Sequence, residues 1–457
     1  MRLDFSGSLL NPKAFSTRPM TFCEPATKIP LSAICDIIAV ETGSREAREA
    51  WQAAQLQNLI AFAYQRSTFW RTRIGAKLKR NVKLAALPPL SREELIEQVT
   101  HEGSLLKPAD GLEVKRHATS GSTGRPTQFF VSSMNMEYNA LRSLAQYFME
   151  GRALSKNKTL LQHNPSIPRG SLRIESGGAW AAPLDGLFKS GALKTIQYFH
   201  PDIAELRAEL MRHDIGYLVS SPRIMEPLLQ YGDAEFLQKG RVACWLPVGE
   251  VIDPQLVDKL RSYDIPVRAA YSSEEVGMIA VECETISGAY HIASSNVIVE
   301  VDDADPIRCG EHKLGRVLVS HLHSYATPIL RYDVGDFASY KDKCDCGHDG
   351  PVISHIYGRS KSLLKHEDGR VTPFNIRDNE ITAIVECSDY RMRQSGVRTL
   401  VVELATEAPL STEQVDALTR LIHMHAGDET FDIKIETRKR IDWGSNRKRL
   451  GFLCEIL

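Results

Sequence analysis

The sequence lacks long apolar runs, an excess of charge of either sign, and a paired set of cysteines. Across its 457 residues, no hydrophobic stretch reaches the roughly 20 residues a membrane helix needs, so no membrane partner is expected. The formal net charge of −1 argues against a dedicated nucleic-acid binder, which would carry a basic excess. The opening Met1-Arg2-Leu3-Asp4-Phe5 has an early acid and no apolar h-region, so no secretory signal is expected there. Nine cysteines are an odd number spread over a long chain. They read as the reduced thiols of a cytoplasmic protein, with a metal site left open. There are no internal repeats and no low-complexity tract. No heptad seam points to a coiled-coil oligomer.

What is present is an ordinary globular composition. An apolar content of 43% is enough for a full core. The length suits a large domain joined to a smaller one. Residues 1–45 have weak periodicity and several prolines, and read as an irregular arm. A helix is expected over 46–65, with Trp51, Leu56, Leu59, Ile60 and Ala63 near one face. From 114 to 340, short apolar runs alternate with helical segments. Pro201 can open a helix carrying Ile203, Leu206 and Leu210, followed by a strand at 215–219. A helix over about 254–263 precedes a strand at 267–271. This alternation predicts an α/β fold with layered sheets and helices. It also puts Tyr271 at the carboxyl end of a strand, where ligands bind in open α/β sheets. Charge and turn residues around 358–370 mark a boundary. The expected division is a large domain over 46–358 and a small α+β domain over 359–457. In the latter, a strand is expected at 399–404, a capping box of Ser411 and Gln414 before a helix ending near His425, and a strand at 431–435.

Four motifs carry chemistry. In Ala118-Thr119-Ser120-Gly121-Ser122-Thr123-Gly124-Arg125-Pro126-Thr127, two glycines allow close backbone approach to a polyphosphate. Hydroxyls and amides can donate to phosphate oxygens, and Arg125 adds fixed positive charge. The spacing is not that of a Walker loop, and a surface loop is the plain alternative for this stretch alone. Next come Tyr271-Ser272-Ser273-Glu274-Glu275-Val276-Gly277 and Thr327-Pro328-Ile329-Leu330-Arg331-Tyr332-Asp333-Val334-Gly335-Asp336. Gly358-Arg359 completes the set. Glu275 is a hard oxygen ligand for a divalent cation, and Asp336 can take two hydroxyl donors.

In this order, and at about these separations, the motifs resemble those of the acyl-adenylate-forming superfamily, most closely its phenylacetate–CoA ligase branch. The resemblance runs from about residue 47 to the C-terminus. It implies that ATP activates a carboxylic acid, aryl or small acyl, as an acyl-adenylate with release of pyrophosphate. The acyl group then passes to a thiol, commonly CoA, after rotation of a mobile C-terminal domain. It assigns Thr119, Ser120, Ser122 and Thr123, with Gly121, Gly124 and Arg125, to the β- and γ-phosphates. Glu275 would hold Mg²⁺, Asp336 the ribose, and Arg359 a further part of the nucleotide. Tyr271, Ser272, Ser273 and Glu274 would line the nucleotide, with Gly249-Glu250 beside the adenine and acyl pocket. Lys361 falls near the family's hinge. The chain departs from the family at Ser272, usually Gly, and at Glu274, usually Thr. The family's catalytic lysine maps to Lys448, although Arg447 competes because Asn446 and Arg447 intervene after Ser445. Some members of the branch hold a structural zinc, a role that would fall to Cys283, His291, Cys344 and Cys346, with Cys309 and His348 as spare ligands. An amine or a carrier-protein thiol is the alternative acceptor. A nucleotide-binding homologue without turnover is the alternative of another class.

Overall fold

The computed structural model describes residues 25–75, 82–100, 113–118, 127–185, 187–230, 235–237, 240–250, 252, 254–309, 312–357, 363–374, 376, 378–387, 389–406, 408–441 and 452–456. Among them are ten α-helices and two large sheets, with smaller sheets beside them.

The first large sheet has five strands, in the spatial order Leu172–Ala179, Ala192–Tyr198, Lys158–His163, Gly216–Ser220 and Val242–Pro247. The last four are parallel and the first is antiparallel at the edge. Successive side chains on a strand point to opposite faces, and both faces are covered. Leu218 and Trp245 pack with Leu206, Leu228 and Leu260 from the helices Ile203–Met211, Pro222–Gln230 and Pro254–Arg261. Tyr217 and Cys244 face the other way, toward Leu144 and Phe148 of the helix Ser133–Met149. The alternation read along the sequence thus corresponds to a doubly covered parallel sheet. The first of these helices opens at Ile203 rather than at Pro201. The Asp202 carboxylate caps it by accepting from the amides of Ala204 and Glu205, as N-cap residues do.

The second large sheet has seven strands, all antiparallel, in the order Val297–Cys309, His312–His321, Tyr332–Lys341, Val352–Tyr357, Ala289–Ile292, Gly277–Glu282 and Ala270–Ser273. The helix Arg45–Arg66 lays Leu56, Leu59, Ile60 and Ala63 on it, the face that the sequence predicts. Ser67 closes this helix with its amide and caps the next, Thr68–Ile74, with its hydroxyl. Trp70 of that short helix is fully buried and donates to the Pro328 carbonyl at 3.2 Å.

Two expectations are corrected here. Of the arm expected over 1–45, residues 1–24 lie outside the described residues, and Pro25–Thr42 is a helix. It buries Ile34, Ile37 and Ile38 against the helix Ser133–Met149. The periodicity is weak because Pro30 and short polar side chains interrupt the apolar face. The strand expected over 267–271 begins only at Ala270. Val267 makes a single bridge to Trp245 at the edge of the five-stranded sheet. The chain then crosses into the antiparallel sheet, so the Tyr271 motif lies in a β-hairpin and not at the end of a parallel strand.

The C-terminal region has a four-stranded sheet in the order Asp432–Arg438, Thr399–Ala405, Asp389–Gly396 and Phe452–Cys454, beside the helix Thr412–Ala426. That helix starts with the expected capping box and ends at Gly427, which has a φ of +62°. The short strand pair Leu363–Lys365 and Val371–Pro373 is shared between two cores. Leu363 packs with Leu314 and Phe337 of the seven-stranded sheet, whereas Leu364 enters the C-terminal core.

Candidate active site

The hydroxyl- and glycine-rich loop joins two paired strands, Val114–Ala118 and Gln128–Ser132, whose register runs from Ala118 opposite Gln128 to Val114 opposite Ser132. Thr119, Ser120, Gly121, Ser122, Thr123, Gly124 and Arg125 lie outside the described residues, as do Arg359, Lys361, Arg447 and Lys448. The base of the hairpin is anchored: the Phe130 amide donates to Thr327 Oγ1 at 2.9 Å. Thr327 opens the Arg331–Asp336 motif, so this bond ties the strand that follows the first motif to the third.

The second and third motifs meet directly. The Tyr271 hydroxyl donates to Asp336 Oδ2 at 2.6 Å. The Tyr332 hydroxyl lies 3.5 Å from Glu275 Oε1. Glu275 sits on the turn between the strands Ala270–Ser273 and Gly277–Glu282, and burial, hydrogen bonding and backbone conformation all hold that turn. Val276 is fully buried. The Asn296 amide donates to the carbonyls of Val276 at 3.1 Å and Met278 at 2.8 Å. Gly277 adopts a φ of +69°, a conformation that glycine takes without strain. The two acids of the turn differ in surroundings: Glu274 is exposed, whereas Glu275 is half-buried and lines a cleft. Arg331 is a framework residue, with Nε on Glu300 at 3.0 Å and its amide on Ser320 Oγ at 2.8 Å. Ser272 is exposed and Ser273 accepts the Val276 amide at 3.4 Å. Gly249 and Glu250 stand exposed beyond the carboxyl end of the strand Val242–Pro247.

Glu275 lines a small cleft that is partly open to solvent. Phe129, Tyr325 and Ile329 form its apolar walls, and Asn135, His321, His323 and Thr327 are among its polar ones. Asn135, His321 and His323 were not singled out in the sequence. The one available signal was His321-Leu322-His323, separated from the Thr327 motif by Ser324-Tyr325-Ala326. Burial, and secondarily His323, holds the His321 imidazole down to about 3, so the ring is neutral.

A phenylacetate-coenzyme A ligase of Thermus thermophilus is 27% identical to this chain over 350 residues, 71% of this chain and 73% of that protein. A 2-hydroxyisobutyryl-CoA ligase, solved in the postadenylation state with 2-HIB-AMP, superposes with a TM-score of 0.62 at 18% identity over 91% of each chain. The same ligase in the thioesterification state, with 2-HIB-AMP and CoA, gives a TM-score of 0.55 at 18% identity, over 91% of this chain and 92% of that one. In sequence the chain is thus similar to a phenylacetate-coenzyme A ligase, and in fold to a 2-hydroxyisobutyryl-CoA ligase. No family model matches it.

The chain also gathers the four expected soft ligands. Cys283, His291, Cys344 and Cys346 place their donor atoms within 4.8 Å of one another. Cys283 Sγ and Cys344 Sγ are 3.9 Å apart, and Cys346 Sγ and His291 Nε2 are 3.4 Å apart. A tetrahedral zinc with ordinary bond lengths sets those edges at about 3.8 and 3.6 Å, so the donor set fits the ion. The two sulfurs are too far apart for a disulfide. Burial, with His348 second, brings the His291 imidazole down to about 4, which leaves the neutral ring that ligates metal. His348 stacks on His291 with ring centres 4.2 Å apart. The guanidinium of buried Arg48 donates to the Asp349 carbonyl and ties this loop to the helix Arg45–Arg66. No side-chain placement is described for Cys309. No helix among the described residues is long and apolar enough to cross a membrane.

Proposed function

We propose that this protein is an ATP-dependent acid–thiol ligase that adenylates a carboxylic acid and passes the acyl group to CoA. The observation that carries this reading is the Tyr271–Asp336 hydrogen bond of 2.6 Å. It joins the two motifs that would hold the nucleotide, with Glu275 in the same hairpin as Tyr271. In the first step, a substrate carboxylate oxygen bonds to the α-phosphorus of ATP and the bond to pyrophosphate breaks. In the second, a thiolate attacks the acyl carbonyl and AMP leaves as the thioester forms.

Within this scheme, Asp336 accepts the ribose hydroxyls, and Tyr271 holds its carboxylate in one rotamer. Glu275 supplies a carboxylate oxygen for Mg²⁺, which when bound offsets the charge of the polyphosphate. The hairpin at 114–132 presents residues 119–125 to the β- and γ-phosphates. Arg359 contacts the nucleotide, and Gly249-Glu250 belongs to the adenine and acyl side. Lys448 neutralises charge at the α-phosphate. Residues 359–457 are the small domain that turns between the two steps, and residues 46–358 the large one. Cys283, His291, Cys344 and Cys346 hold a structural zinc: four protein ligands close the coordination sphere and leave no position for a reacting water.

The test is carboxylate-dependent ATP–pyrophosphate exchange over a panel of aryl and short-chain acids, with Lys448→Ala alongside. Exchange by the parent, lowered by orders of magnitude in the variant, establishes adenylation and the role of the lysine. CoA-dependent release of AMP then establishes the acceptor. ATP binding without exchange for any acid would overturn the ligase reading in favour of a nucleotide-binding homologue.

A further inference from the structure

We infer that His321 is a neutral hydrogen-bond donor, through Nδ1, to the polyphosphate of the bound nucleotide. This rests on the adenylation reading and adds a nucleotide contact that none of the four motifs contains.

Asn135 Nδ2 lies 3.2 Å from the His323 carbonyl oxygen, which can only accept. That contact orients the Asn135 amide, with its nitrogen toward His323 and its oxygen taking a hydrogen from Asn139 Nδ2 at 3.1 Å. The same Asn135 nitrogen lies 3.2 Å from His321 Nε2. A nitrogen donor there makes Nε2 the acceptor, so the ring proton of neutral His321 sits on Nδ1. The chain Asn139–Asn135–His321 therefore selects the tautomer, as a hydrogen bond to one ring nitrogen does for histidine generally.

His321 is only 2% exposed, and its Nδ1 has no hydrogen-bond partner among the described residues. A buried donor left unpaired costs free energy unless a ligand or water meets it. His321 lines the same cleft as Glu275, and no lysine or arginine lines that cleft among the described residues. The cleft thus combines a carboxylate suited to a hard cation with a neutral donor suited to an oxygen acceptor. That pairing fits a metal-complexed polyphosphate. A positive imidazolium would compete with the cation for the same ligand, and the low basicity of this ring keeps it neutral.

The two ring nitrogens can be tested separately. An asparagine amide nitrogen falls near the position of histidine Nδ1, and a glutamine amide near Nε2. Calorimetric titrations of MgATP, magnesium pyrophosphate and AMP are made into the full chain and its His321→Asn and His321→Gln variants, with melting temperatures recorded. His321→Gln is expected to weaken MgATP and magnesium pyrophosphate about 10-fold or more, the loss of one hydrogen bond to a charged group. His321→Asn should stay within about 3-fold, and AMP should bind all three alike. Unchanged pyrophosphate binding by His321→Gln, or equal losses in both variants with lowered melting temperatures, would overturn the inference. If both variants fail to fold, ¹⁵N–¹H spectra of the parent decide: the His321 Nδ1 proton resonance must shift on adding magnesium pyrophosphate, and no shift overturns it. A parent chain that binds no MgATP is a different result, and refutes the nucleotide reading itself.

Discussion

The Tyr271 hydroxyl reaches Asp336 Oδ2 at 2.6 Å although three strands stand between theirs in the sheet order. In a flat sheet, four strand spacings would separate them by about 19 Å, far beyond the reach of a tyrosine. The seven-stranded sheet therefore curls, bringing its edge strand over the middle of its own face. Sheets twist and coil with a fixed hand, and the register shifts along the strand Tyr332–Lys341 sharpen the bend. Curling is what makes one site out of motifs 65 residues apart.

Tyr271→Phe removes this bond and little else. A hydrogen bond to a charged group contributes about 1.5–3 kcal/mol, so the KM for ATP in pyrophosphate exchange should rise about 10- to 100-fold. The melting temperature should stay within about 2 °C, because phenylalanine keeps the ring that packs against the core and only the hydroxyl is lost. An unchanged KM would show that Asp336 is oriented without Tyr271.

The neighbouring acids Glu274 and Glu275 should separate cleanly. Glu275→Gln is expected to lower exchange by about 100-fold or more, the scale for losing a preorganised charge at a reacting centre. Glu274→Gln should change it by less than about 3-fold, as for a solvated surface carboxylate. Titration of Mg²⁺ in the exchange assay should show the Glu275→Gln defect as a raised requirement for the cation. Equal effects of the two variants would contradict the different surroundings of the two acids.

Metal analysis of the purified chain should give close to one zinc per molecule. Cys344→Ser, or a strong chelator, should release it and lower the melting temperature by at least several degrees, since a structural zinc contributes directly to folding. Serine at Cys35, an exposed thiol away from the cluster, should leave metal content unchanged. A zinc-free chain with full stability would dismiss the site.

Stability should fall on acidification. Burial, with His323 second, keeps His321 down to about 3, whereas an unfolded histidine titrates near 6.5. A lowered folded value means that the unfolded chain binds the extra proton. The stabilisation is therefore fully present above about pH 6.5 and is lost as pH falls toward 3, by up to about 1.4 kcal/mol per pH unit. Urea unfolding of the parent and of His321→Asn between pH 7 and pH 4.5 should show the steeper loss in the parent. Parallel curves would mean that His321 is not buried as a neutral ring.

The helix Pro25–Thr42 is locked in place by Glu41, whose carboxylate pairs with Arg142 at 3.0 Å and accepts from Ser295 Oγ at 2.6 Å. Both charged side chains are buried, at 7% and 3% exposure. Glu41→Ala would leave Arg142 charged and unpaired, at a cost of about 3–5 kcal/mol. Urea unfolding should report that loss. Glu41→Ala with Arg142→Met together should recover part of it. No loss in the single variant would mean that water reaches the guanidinium.

The periodicity of residues 45–66, the capping box at Ser411 and Gln414, and the alternation of helices and strands over 203–261 were all legible in the sequence. Each depends on contacts within a few residues, so local order is enough to reveal it. The motifs at 271–277 and 327–336 were legible for a related reason: a tight turn needs glycine, and a polar site needs its oxygens clustered along the chain. The helix Pro25–Thr42 was hidden because its stability comes from the distant partners Arg142 and Ser295 rather than from its own residues. The strand crossing at Val267–Ala270 was hidden because strand pairing is chosen by whichever edge is nearby. Only the tertiary structure decided that His321, Asn135 and Glu275 share one cleft. The tautomer of a buried imidazole depends on which atoms surround it in space, and linear order does not specify them.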